Sequence, residues 1–400
     1  MAENAQLIRD VLAKQKGVLF ARPAIVCRQM YAGRDIIAKN SKFEPGYMDN
    51  RGYLPVEWWI MSKTHAKNPI EQENEGITHL FVGDEEILFS SALTYAGEEL
   101  LGGYIDTWPL TKLLDIGGVP VVPRYTEDTG IPPTAEVPPI PCHVHAGEVV
   151  NGHCVPPGKS EAYFFPPTNI PPYNLDLTGT ITRLGLKPGV SKVQLVNSLN
   201  EFGKNDDLYK LLNVYEVSPW ESWFIKEKAI HAPGPWPTFE IQRPQDDYNL
   251  FAWKLGAPIE SSQLDVIKAD NQMKTLPDEM TVVEETVDWE LNSKWDKSAW
   301  FKKCDIIEQG DWGCSRQLFY HMFYGEGYVV EPGKSFKRGQ DVRPFAGIVW
   351  SGVGYLNGLE INFANKHKRE FLITPNTEMT FENTDPSQQL IVFVIFPMKL

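Results

Sequence analysis

Residues 140–145 read Ile140-Pro141-Cys142-His143-Val144-His145, and the two histidines at alternate positions decide how the rest of the chain is read. On an extended strand, residues two apart point to the same face, so both imidazoles reach one point inside a β structure and can grip a metal ion. Two further donors fit that geometry. Glu161 follows Gly158-Lys159-Ser160 and opens a run, 161–165, that reads as a buried strand; His231 follows Ala229-Ile230 just before the turn Pro233-Gly234. Three imidazoles and one carboxylate suit zinc, manganese, iron, cobalt or nickel, with positions left open for a substrate oxygen. Spacing alone leaves the alternative open, since a histidine pair on a strand is more often a surface or satisfied core feature.

Outward from this point the texture is that of short strands joined by turns. Residues 119–141 carry seven prolines, too many for a helix or a central strand, and predict an extended loop leading into the histidine pair. Runs such as 77–82 and 86–93 predict strands between Gly, Asn and Asp turns. Residues 4–15 place Leu7, Ile8, Val11 and Leu12 at helical spacing, and 185–213 shift to the same period through Val193, Leu195, Val196 and Leu199. The polar, acidic stretch 260–297 predicts a linker or covering segment, and strand texture resumes over 298–400. The expected organisation is therefore an N-terminal unit, 1–259, with a helical insert at 185–213, followed by the linker and a second β unit. The second unit's His321 and His367 form no alternating pair, so no metal is expected there.

Composition excludes several partners. A formal net charge of −14 without a basic stripe argues against nucleic acid. No apolar stretch approaches the length of a membrane span, and residues 1–17 lack the pattern of a secretory signal. The five cysteines are odd in number and scattered, as suits a reduced cytoplasm; Cys142 and Cys154 flank His143 and His153 without a CxxC pair and are expected to be buried thiols. His153, in an Asn-Gly turn, is expected in solvent.

Between residues 57 and 253 the chain resembles the type I phosphomannose isomerases, zinc enzymes built on the cupin barrel. Glu57-Trp58-Trp59-Ile60-Met61-Ser62 is similar to the family's Glu-x-Trp strand, and Trp108-Pro109-Leu110-Thr111-Lys112-Leu113-Leu114-Asp115 to the segment that follows it. His143 stands where the family has a glutamine ligand and His145 at its first histidine. Gly158-Lys159-Ser160-Glu161-Ala162-Tyr163 resembles the words around the ligand glutamate, residues 184–212 its helical insert, and His231-Ala232 with Phe239-Glu240-Ile241-Gln242 its last histidine and the strand beyond. The resemblance implies an all-β bicupin, two jelly-roll barrels with a short helical insert and an N-terminal helix. It implies one divalent metal, zinc first, on His143, His145, Glu161 and His231, and a role near the substrate for Glu240 and Lys159.

Aldose–ketose isomerisation through an enediol needs a metal to polarise the sugar oxygens and a base to carry a proton between neighbouring carbons. Glu240 is the candidate acid/base, with a supporting role beside Lys159 or a metal ligand as the alternative, and Lys159 the candidate contact to substrate. Departures from the family bear on the substrate: its arginine falls on Asn249, its phosphate-binding serine on Pro141, and the aspartate of its Tyr-Asp-Trp on Ala252. Losing a guanidinium weakens the case for a phosphorylated sugar. Arg243 is a nearby replacement, although strand alternation turns it away from Glu240. The expected activity is a cytoplasmic, metal-dependent aldose–ketose isomerase of a hexose or hexose derivative other than mannose 6-phosphate, with a homodimer allowed. The alternatives are a non-catalytic sugar-binding or regulatory cupin and a metal-dependent cupin oxygenase.

Overall fold

The computed structural model describes residues 2–28, 36–37, 49–68, 70–116, 140, 142–151, 153–155, 157–200, 207–247, 249–251 and 276–399. The loop expected over 119–141, apart from Ile140, lies outside them, as do residues 260–275 of the expected linker and Tyr248, Ala252 and Trp253.

Among the described residues the strands form antiparallel sheets of nine, seven, five, four and two strands. Three of them matter for the site. The seven-stranded sheet runs Phe301–Lys303, Glu221–Ile225, Glu161–Phe165, Thr238–Gln242, Leu110–Leu114, Leu54–Ile60, Ala24–Arg28. The five-stranded sheet runs Leu212–Glu216, Ile181–Leu186, His231–Ala232, His143–Val144, Asn249–Leu250. The nine-stranded sheet begins at the exposed edge strand Ile306–Gly310, passes through Leu390–Ile395, Phe345–Ser351 and Glu370–Ile373 to Val18–Arg22, and ends at Glu85–Leu88.

This is a mixed α/β architecture of open sheets, and it corrects the expectation of an all-β pair of closed jelly-roll barrels. Part of the difference is helix. The run 86–93, expected as a strand, divides into the strand Glu85–Leu88 and the helix Phe89–Leu101, which buries Phe89, Ala92, Ala96 and Leu100 at helical spacing. The described part of the acidic linker holds three short helices, Glu279–Thr286, Trp289–Ser293 and Lys297–Trp300. Asp278, Asp288 and Asp296 cap them by accepting from the backbone N–H of Thr281, Leu291 and Ser298. Pairing across the expected boundary accounts for the open sheets. Pro23 divides Val18–Arg22 from Ala24–Arg28, and the chain changes sheet there. Val18–Arg22 pairs with Glu370–Ile373, from Val18 opposite Ile373 to Ala21 opposite Glu370, so its ladder is used in joining the two halves rather than closing the first.

The seven-stranded sheet is buried on both faces, and alternation separates two chemistries. Trp58, Leu113, Ala162, Phe164, Phe239 and Ile241 pack into one core with Trp350 and Phe393 of the nine-stranded sheet. Their neighbours Glu57, Lys112, Glu161, Glu240 and Gln242 are equally buried but belong to the other face. The apolar seam is held by more than contact area: Glu370 accepts from Trp58 Nε1 at 2.6 Å and from the Met61 N–H at 2.7 Å, and the Arg369 guanidinium lies 4.5 Å from the Trp58 ring.

Phe164, fully buried, meets Phe393 at 5.0 Å and Trp220 at 5.5 Å between ring centroids. Phe164→Ala is expected to destabilise the fold by about 3–5 kcal/mol, read as a fall in the urea midpoint. Tyr163→Phe, on the polar face, removes a donor to the buried Glu161 carboxylate and is expected to cost less, about 1–3 kcal/mol.

Candidate metal centre and the cleft around it

The five-stranded sheet supplies the imidazoles. His231 lies directly opposite His143 in the ladder, with ring centroids 4.0 Å apart. His145, two residues on, brings its ring to 4.9 Å from that of His143 and 5.1 Å from that of His231. Backbone carbonyls orient two of the rings: His145 Nδ1 lies 2.8 Å from the Asp247 carbonyl and His231 Nδ1 2.9 Å from that of Ala229. A carbonyl can only accept, so each Nδ1 carries a proton, and in the neutral imidazole it is Nε2 that presents a lone pair inward.

Glu161, the first residue of its strand in the seven-stranded sheet, faces those lone pairs. Its Oε1 is 3.1 Å from His231 Nε2 and its Oε2 3.2 Å from His145 Nε2. Both Nε2 atoms are buried and make no hydrogen bond. Two neutral nitrogen acceptors set against a carboxylate repel one another unless a cation lies among them, and this is the test that a metal passes on the chain's own atoms. The donor atoms of His143, His145, Glu161 and His231 all lie within 4.8 Å of one another, a set with the capacity for one divalent ion. Burial and the nearby Lys159 ammonium push the His145 imidazole down to about 4, so it is neutral and able to ligate at neutral pH. Burial works against ionisation of Glu161, but the Lys159 ammonium at 3.0 Å outweighs it and holds the carboxylate well below its usual range. Tyr163 donates its hydroxyl to the same carboxylate.

Close backbone approach sets this geometry. A Cβ on Gly158 would stand 2.3 Å from the His145 carbonyl oxygen. Gly147, with φ of +93°, would bring one to 2.3 Å from the Val155 carbonyl oxygen.

The polar face of the seven-stranded sheet walls a small cleft of about 60 Å³ beside these donors. Tyr163, Glu240 and Lys112 are consecutive cross-strand partners, so Glu240 stands between the metal donors and an array of charges. Its Oε1 is buried, accepts no hydrogen bond, and lies 3.9 Å from Lys112 Nζ and 4.0 Å from Lys159 Nζ. Burial, followed by repulsion from Glu161, pushes the Glu240 carboxyl up to about 8 against the pull of the two ammonium groups. Beyond it Arg28 bridges Glu57 and Asp246 at 3.0 and 2.8 Å. Burial resists the charge on these two carboxylates also, yet Arg28 and Lys112 keep both below their ordinary range.

Of the residues singled out from sequence, His143, His145, Glu161, Lys159 and Glu240 line the cleft, and His231 joins the donor cluster. Arg243 and Asn249 are not among the lining residues. The Arg243 backbone N–H donates to the Ser160 carbonyl, and Asn249 Oδ1 accepts from the Ala146 N–H at 2.9 Å, bracing the end of the histidine strand. His153 is exposed, with Nδ1 3.0 Å from Glu285, and Cys142 is a fully buried thiol. Trp223 and Trp236 pack in a separate cluster. Sequence reasoning missed Arg28, Glu57, Lys112 and Asp246 as cleft residues. For Glu57 and Lys112 the signal was a lone charge inside an otherwise apolar strand, Leu54–Ile60 and Leu110–Leu114.

Solved structures share this fold. The chain is 14% identical to a provisionally assigned mannosephosphate isomerase from Archaeoglobus fulgidus, with a TM-score of 0.58 over 95% of this chain and 97% of that one. It is 17% identical to the mannose 6-phosphate isomerase of Bacillus subtilis, with a TM-score of 0.56 over 95% of this chain and 99% of that one. No family model and no curated protein sequence matches the chain. Among the described residues no helix is long and apolar enough to cross a membrane.

Two outcomes are expected. Protein purified with metal should carry about one divalent ion per chain by elemental analysis, and His145→Ala should lose it. For chelated protein, His145 binds its proton near 6.5 when unfolded and near 4 when folded. The unfolded state therefore holds the extra proton between those values, and stability contributed by His145 falls as pH drops through that window. His145→Gln should flatten the fall, measured as thermal midpoint against pH.

Proposed function

We propose that this chain is a metal-dependent aldose–ketose isomerase of the phosphomannose isomerase type, cytoplasmic, acting on a hexose or hexose derivative. The observation that carries the reading is the buried opposition of His145 and His231 Nε2 to Glu161, opening on a cleft in which one Glu240 carboxylate oxygen accepts no hydrogen bond. His143, His145, Glu161 and His231 would hold one divalent ion, zinc in first place, and such an ion supplies Lewis acidity towards the carbonyl and hydroxyl oxygens of a sugar.

The chain's own residues do the rest. Glu240 moves the proton between neighbouring carbons: with its carboxyl near 8 it can both give and take a proton close to neutrality, and a nearby dication lowers that value further towards the base form. Lys159, with Nζ 3.0 Å from Glu161 and 4.0 Å from Glu240, keeps the first ionised and offers a donor to a substrate oxygen. Burial opposes its charge, but Glu161 and Glu240 raise its pKa, so it stays an ammonium and does not compete as a base. The cleft's enclosure by Leu114, Ile140 and Pro233 restricts water around the transferred proton.

Metal-loaded protein incubated with a panel of aldoses and ketoses in heavy water is expected to introduce deuterium at C1 or C2 of one sugar, followed by NMR. Glu240→Gln should slow that exchange by about 10²–10⁴-fold with metal retained. Binding of a sugar without exchange would make the chain a sugar-binding protein instead, and oxygen consumption would make it an oxygenase.

A further inference from the structure

We infer that the cleft takes an uncharged polyhydroxy aldehyde or ketone, an unphosphorylated sugar, and that Arg28, Glu57, Lys112 and Asp246 set this preference. The inference rests on the isomerase reading for the reaction and goes beyond it in the substrate.

A phosphorylated sugar needs N–H groups able to turn towards a dianion, a task for which a guanidinium is the usual choice. Among the described residues lining the cleft, Arg28 is the only arginine, and each of its five N–H groups already has an acceptor. Nε and Nη2 donate to the two Glu57 oxygens at 3.0 and 3.2 Å. Nη2 also donates to Asp246 at 2.8 Å, and Nη1 donates to the Lys67 carbonyl at 2.6 Å and to Asn68 Oδ1 at 3.2 Å. The two ammonium groups are similarly engaged. Lys112 Nζ lies 3.2 Å from Asp246, 3.7 Å from Glu57 and 3.9 Å from Glu240. Lys159 Nζ lies 2.9 Å from Gln242 Oε1, 3.0 Å from Glu161 and 4.0 Å from Glu240.

Among the described residues lining the cleft, four carboxylates thus face three cations, and each of these cations is committed. A phosphate can only accept, so it must draw a cation away and leave a buried carboxylate unpaired, which is heavily unfavourable. A sugar hydroxyl donates and accepts at once, so it can enter between an ammonium and a carboxylate and unpair neither. Glu240 Oε1, buried without a hydrogen bond, is an acceptor in position for such a hydroxyl.

The test uses metal-loaded full-length protein and matched pairs: glucose and glucose 6-phosphate, mannose and mannose 6-phosphate, fructose and fructose 6-phosphate. Binding is read by calorimetry and exchange by deuterium entry. The expected result is that a free sugar binds at least about tenfold more tightly than its phosphate, and that inorganic phosphate does not displace it. A phosphorylated sugar that binds or exchanges better than its free partner overturns the inference and leaves the isomerase standing. A free sugar that binds without exchange supports the inference and removes the isomerase. Binding of no free sugar overturns the inference as well. Asp246→Asn keeps an acceptor for the Lys67 N–H and Arg28 Nη2, which share Oδ2, but sets an amide N–H where Oδ1 faces Lys112 Nζ at 3.2 Å; it thereby releases Lys112 and is expected to shift the ratio about tenfold towards the phosphorylated member. An unchanged ratio in the folded variant removes Asp246 from the role; if the variant does not fold, the matched pairs on the parent protein decide.

Discussion

Two imidazole lone pairs and a carboxylate, turned on one another where water does not reach, form the constraint on which the rest of the structure depends. Such groups do not gather by attraction, since each is an acceptor and each loses hydration on burial. They are held by the backbone: the pairing of His231 with His143 sets two rings side by side, and the carbonyls of Asp247 and Ala229 decide which nitrogen carries the proton. The end of the histidine strand is fixed in turn by a close contact that a side chain would prevent, Gly158 against the His145 carbonyl. Precision at the donors therefore draws on two sheets and the turns between them.

The seven-stranded sheet explains how so polar a site can be built in an interior. One face is conventional core, where Phe164, Phe239 and Ile241 pack against Phe393 and Trp350. The other carries Arg28, Glu57, Lys112, Glu161 and Glu240, all nearly inaccessible to solvent. Isolated, each charge would be untenable; placed as a lattice, each neutralises its neighbours. Such a lattice is costly to rearrange, so it discriminates among ligands by what they would force it to give up as much as by what they offer.

Much of the site was legible because it depends on periodicity. His143 and His145 share a face at a spacing of two, and Glu161 opens a strand whose burial is apparent from its apolar run. Less was legible where the fold overrode local texture. The helix Phe89–Leu101 begins inside a short apolar run that reads like a strand, and only its later residues reveal the longer period. The three capped helices after residue 278 looked featureless because each is too short to display a period, although their aspartates marked the starts. Arg28 and Asp246 meet in space across more than two hundred residues of chain, a pairing that no local pattern encodes. The closed barrels failed for the same reason, since strand order is a property of tertiary pairing.

The union of Val18–Arg22 with Glu370–Ile373 has a consequence for biosynthesis. A ribosome delivers the first of these strands more than three hundred residues ahead of the second. Until then the growing chain presents Val18–Arg22 with one ladder edge unpaired, and Trp58 lacks the Glu370 carboxylate that receives its indole N–H. Closure of so long a loop is entropically slow. The donor set, though complete in sequence by residue 231, thus acquires its rigid backing only once Glu370–Ile373 has emerged, and an emerging chain depends on protection of that edge from other nascent strands.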